Sequence, residues 1–103
     1  MVTIRVAKQK IGQLINDLRL SGYQPTRAIL FGSVAKQRAN KNSDVDVAIW
    51  DDKFSGCTTV DYEGFLPVLR NYPGFEVHTF HSSETALTNP FIGEIEKSGL
   101  EVV

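Results

Sequence analysis

From Ile4 to Leu18 the apolar residues fall at three- and four-residue steps, Ile4, Ala7, Ile11, Leu14, Ile15 and Leu18, with Lys8, Lys10 and Asp17 between them. That period predicts an amphipathic helix packed by its apolar stripe, with Thr3 as N-cap and Gly22 as stop. A loop over 23–26 leads into an apolar strand, Arg27–Phe31, which halts at Gly32-Ser33. A short helix is expected over 34–38 and a loop over 39–42. The run 43–50 then alternates: Asp44 and Asp46 share one face of a strand, Val45, Val47 and Ile49 the other.

Residues 51–59, Asp-Asp-Lys-Phe-Ser-Gly-Cys-Thr-Thr, carry loop signals throughout and read as the mobile segment, with Asp51 and Asp52 as solvated charges. Val60, Phe65, Val68 and Leu69 predict a helix over 60–72, with a kink or a late start at Pro67. Pro73-Gly74 breaks the chain before a third strand, Phe75–Phe80, in which Glu76, His78 and Phe80 share a face. Residues 82–88 are polar and irregular. Asn89-Pro90 reads as N-cap and first helical residue, Phe91, Ile92 and Ile95 as an apolar stripe, and Gly99 as the helix end. The apolar tail 100–103 is a candidate edge strand, open to a second copy or a partner. The pattern as a whole gives an α/β (α+β) fold, a small mixed sheet with helices packed on it.

The aspartate strand carries the chemistry. At about 3.3 Å rise per residue, Asp44 and Asp46 project from one face roughly 6 to 7 Å apart, which suits carboxylates sharing divalent cations. Asp is depleted in strands, so two in succession on one face call for a reason beyond solvation. Upstream, a strand ending in Gly-Ser can surround an anion with backbone N–H groups and a hydroxyl. Between Arg27 and Ser43 the charged residues are Arg27, Lys36, Arg38 and Lys41, without one Asp or Glu. A cationic, glycine-hinged segment followed by paired carboxylates describes a site for a magnesium-bound nucleoside triphosphate.

Phe31-Gly32-Ser33, nine intervening residues and Ser43-Asp44-Val45-Asp46-Val47 resemble the signature of the DNA polymerase beta superfamily, in particular its minimal nucleotidyltransferase domains. Glu76-Val77-His78 and Asn89-Pro90-Phe91, followed by a short helix and Gly99, look like one branch of that family. The resemblance implies transfer of a nucleoside monophosphate, AMP from ATP, to a hydroxyl. It implies Gly32 and Ser33 on the terminal phosphates, Lys36 and Arg38 offsetting their charge, and Mg²⁺ held by Asp44 and Asp46. Glu76 becomes the third acid, completing the metal site and helping to activate the acceptor. Family members often carry glycine where this chain has Gln37, and aspartate where it has Glu76. Ser43 has no catalytic role in the family and is read as orienting its strand. His78 shares the face of Glu76 and is open to phosphate, metal or a neighbouring acid.

At 103 residues, 42% hydrophobic and 22% charged, the chain fits one domain, 1–103, with a modest core and no room for a second. A net charge of −1 argues against a protein that grips long stretches of nucleic acid, so a nucleotide or a protein is the expected partner. The single Cys57 can form no internal disulfide, and no apolar run approaches the ~20 residues of a membrane span, which points to the cytoplasm. Minimal nucleotidyltransferases often accompany helical HEPN-type toxins, and some neutralise them by transferring AMP. The resemblance therefore implies an antitoxin with such a partner. The alternative, from a different class, is a catalytically weak or inactive binding module that keeps the fold and acts by capping a HEPN-type partner.

Overall fold

The computed structural model describes residues 2–40 and 44–103; Lys41 and Ser43, which the sequence places in the loop and at the head of the aspartate strand, fall outside them. Helix α1 (Ile4–Leu20) buries Ala7, Ile11, Leu14, Ile15 and Leu18, and the Thr3 side chain accepts from the Val6 N–H at 3.2 Å. Strands β1 (Arg27–Phe31), β2 (Val45–Trp50), β3 (Phe75–Phe80) and β4 (Leu100–Glu101) form one sheet in the order β3-β2-β1-β4. β1 runs antiparallel to β2 and to β4, whereas β2 and β3 are parallel. Helices α2 (Gly32–Ala35), α3 (Thr58–Leu69) and α4 (Pro90–Ser98) complete the mixed α+β fold expected from the sequence.

Strand alternation sorts the core into two halves. Ala28, Leu30, Val45, Val47, Ile49 and Val77 join the buried stripe of α1 and Phe65 of α3. Ile29, Ala48, Trp50 and Phe80 meet Ile92 and Ile95 of α4 across the other face. The aspartate face of β2 is therefore polar only at its start. Beyond Asp46 it continues into buried Ala48 and Trp50, because α4 covers it. Arg27 ties this layer together: its guanidinium donates to Glu96 of α4 and Glu101 of β4, both at 2.8 Å, and stacks over the Trp50 ring at 4.7 Å. The bond to Glu101, and then that to Glu96, hold the Arg27 pKa above its ordinary value against the lowering effect of burial.

Residues 51–57 are irregular, as the loop signals predict, but Asp51 departs from the expected solvated charge. Asp51 is 1% exposed and accepts from the Gln24 N–H at 2.8 Å and the Lys53 N–H at 2.9 Å, so it is a structural acid that pins the loop. Phe54 is buried against Tyr23 and Phe65, giving the segment an anchor of its own. Asp52 stays exposed, as read from the sequence, and accepts from the Ser82 hydroxyl. Helix α3 starts earlier than its apolar pattern suggests and carries Pro67 inside its last turn. Gly64 makes room here, since a Cβ on it would meet the Tyr23 hydroxyl at 2.3 Å. Burial, and then the charges of Asp51 and Asp61, push the Tyr23 phenol up.

Asp61, which the sequence pattern does not single out, is a second buried acid. Its carboxylate accepts from the Ser55 N–H at 2.8 Å, the Ser55 hydroxyl at 3.0 Å and the Thr79 hydroxyl at 2.6 Å, joining the loop, α3 and β3. Charge-assisted bonds at a buried site are costly to lose. Asp61→Ala is expected to lower stability by about 2–4 kcal/mol. Urea unfolding should show a lower midpoint with an unchanged slope; a midpoint at the wild-type value would contradict this role.

Candidate active site

The sheet register assembles the site. In the ladder Asp46 has Phe31 of β1 on one side and Glu76 of β3 on the other, while His78, two residues along β3, faces the same way as Glu76. Asp46, Glu76 and His78 each offer a donor atom within 4.8 Å of the other two. The His78 Nε2 stands 3.9 Å from Asp46 Oδ1 and 3.8 Å from Glu76 Oε1. It is shielded from solvent and has no hydrogen-bond partner. The imidazole is held edge-on by Phe31, with ring centroids 5.1 Å apart, and by Phe91 of α4 at 5.7 Å.

Gly32 closes the site from the β1 side. Its φ is +76°, and a Cβ there would lie 2.3 Å from Asp46 Oδ2, so only glycine lets the Gly-Ser turn approach the carboxylate. The chain winds at once into the single turn of α2, with Ser33 half-buried and Lys36 and Arg38 exposed on the segment that follows. Amides in that segment turn inward: Lys36 N–H donates to Gly32 O at 3.1 Å and Arg38 N–H to Ser33 O at 2.8 Å. Gln37, where the resemblance implies glycine, adopts φ 57°. A left-handed conformation costs a residue with a Cβ about 1 kcal/mol, which is the physical reason for glycine at this point of the turn.

The sequence-predicted residues are thus divided. Asp46 and Glu76 come together; Gly32 touches Asp46; Ser33, Lys36 and Arg38 lie along the turn after β1. Asp44 stands one residue before β2 begins, exposed and outside the three-donor group. Arg27, counted with the cationic segment, lies at the opposite end of β1 and is engaged by Glu96 and Glu101. His78 is the donor left unassigned by the sequence. Its signal was the i, i+2 spacing from Glu76 on one strand face, which the register turns into shared space with Asp46.

Two carboxylates directly opposite across a strand pair repel, and a nitrogen without a partner beside them adds a lone pair or a proton to place. Oxygen, oxygen and nitrogen donors converging beside a glycine cradle fit a divalent cation. A cleft of about 430 Å³ lies elsewhere, lined by Val2, Thr3, Ile4, Arg5, Val34, Gln37 and Ala39, and none of the three donors borders it. Among the described residues, no helix is long and apolar enough to cross a membrane.

A family model described as "Polymerase beta, Nucleotidyltransferase" matches residues 12–100, a span that holds every residue of this site. No curated protein matches the chain.

Proposed function

The chain belongs to the polymerase beta nucleotidyltransferase family, and from that premise we propose that it transfers AMP from ATP to a hydroxyl on a partner protein. The observation that carries the reading is the convergence of Asp46 and Glu76 beside the glycine turn. Asp46 and Glu76, with Asp44 from the head of β2, would hold Mg²⁺. When bound, the ion neutralises charge on the phosphate oxygens. Gly32 and Ser33 cradle the terminal phosphates, and Lys36 and Arg38 balance the charge of the departing pyrophosphate. The acceptor oxygen attacks the α-phosphorus as the bond to the bridging oxygen breaks, and Glu76 takes the hydroxyl proton.

The partner we propose is a helical HEPN-type protein, with the chain acting as its antitoxin in the cytoplasm as a single domain over 1–103. Support comes from the resemblance and from the surface beside the acids. Phe91, 43% exposed, touches the His78 ring, and Leu87 in the turn leading to α4 is 96% exposed. An exposed aromatic beside the site and an exposed leucine before α4, on a chain of net charge −1, suit a protein surface better than a nucleic-acid backbone.

The test is transfer from ATP labelled at the α-phosphate to a co-purified partner. Wild type should label it, and Glu76→Gln should cut the rate by roughly 10²-fold or more while nucleotide affinity stays within about twofold. Unlabelled partner in a stable complex with wild type would favour capping without catalysis. Full activity of Glu76→Gln would remove Glu76 from the chemistry.

A further inference from the structure

Accepting the acid cluster as a metal site, we propose that His78 Nε2 is itself a metal ligand, and that the site prefers a first-row transition ion to Mg²⁺, with Mn²⁺ the one tested. The argument starts from the two distances. At 3.9 and 3.8 Å from the nearest carboxylate oxygens, Nε2 is too far to hydrogen-bond either acid. Two donors on one ion, each at about 2.0 to 2.2 Å, stand roughly 3 to 4.4 Å apart, so the observed separations fall in the range a shared ion requires. A buried ring nitrogen without a partner is otherwise expensive, and the ion removes that cost.

The ring is also oriented for the task. Phe31 and Phe91 meet it at interplanar angles of 62° and 65°, leaving Nε2 turned toward the two carboxylates. Phe31 and Asp46 are ladder partners, so the residue that orients the imidazole is fixed to the strand position of the first acid. Mg²⁺ favours oxygen donors and retains its waters, whereas an imidazole ligand favours first-row transition ions, and Mn²⁺, which also takes carboxylates, suits two oxygens and one nitrogen.

The experiment uses the full chain, freed of metal by a chelator and titrated with Mn²⁺ alone, the free ion being followed by its electron paramagnetic resonance signal. Bound Mn²⁺ in wild type should show electron spin-echo modulation from a directly coordinated ¹⁴N. Mg²⁺ should displace it only at about tenfold or greater excess. His78→Gln should lose the nitrogen modulation and weaken Mn²⁺ about tenfold, with Mg²⁺ affinity nearly unchanged. Should the variant fail to fold, the modulation in wild type decides alone. Mn²⁺ bound without nitrogen modulation would overturn the ligand assignment and leave the metal site standing. No uptake of either ion at millimolar concentration would overturn both.

Discussion

Asp46→Asn should reduce AMP transfer by about 10³-fold while leaving the fold intact, the largest catalytic loss expected from a single carboxylate in this protein. The size follows from position. Among the described residues Asp46 is the one acid paired on both sides, with Phe31 and Glu76 as neighbours in the sheet, so its backbone is held by two strands. Gly32 fits against one of its oxygens and the His78 ring faces the other. An amide is nearly the same size, so packing survives, but it carries no charge and presents an N–H₂ donor on one side. Thermal unfolding should stay within about 1 kcal/mol of wild type or rise, since one of two facing carboxylates has been neutralised. Divalent ions should no longer stabilise the variant. Transfer retained within tenfold of wild type would show that Asp46 is not at the reacting centre.

Gly32→Ala should combine a catalytic loss with a structural one. A methyl placed there sits 2.3 Å from Asp46 Oδ2 and 3.0 Å from Asp46 Cγ, and a φ of +76° is strained for alanine whatever the space. The Asp46 side chain can swing away, but only out of the three-donor group. Destabilisation of about 1–3 kcal/mol is expected from the backbone strain. Metal-dependent stabilisation and labelled transfer should both fall sharply. Gly12→Ala is the matched control, because no heavy atom outside its own helix neighbourhood lies within 4 Å of a Cβ there and alanine favours the helix. Equal behaviour of the two variants would dismiss the cradle.

The sequence exposes the parts of this site that follow from local periodicity. Alternation in 43–50 separates Val45, Val47 and Ile49 from Asp46, and the Gly-Ser turn marks the end of β1, as observed. What alternation cannot show is what covers a face. Ala48 and Trp50 share the side of Asp46 and are buried because α4, some forty residues later, returns over them. Asp51 hides its role for a related reason: Asp-Asp-Lys looks solvated, and its partner N–H on Gln24 is 27 residues away. Asp61 gave no signal, since a lone acid in a helix resembles a surface residue until Ser55 and Thr79 arrive beside it. His78 was visible on the right face but not at the right distance, because its nearness to Asp46 depends on the parallel register of β2 with β3.

The burial of Trp50 gives the protein an optical reporter. It is the chain's single tryptophan, 1% exposed, with its indole N–H donating to the Glu84 carbonyl at 3.0 Å and its ring lying against Phe80 and under Arg27. The indole shares its buried cluster with Ile92 and Ile95 of α4, and the Arg27 above it is held by Glu96 of α4 and Glu101 of β4. Any partner that lifts α4 wets the indole and shifts its emission to the red, while a partner that docks without disturbing the layer leaves the spectrum unchanged. Intrinsic fluorescence thus distinguishes the two modes of association without a label.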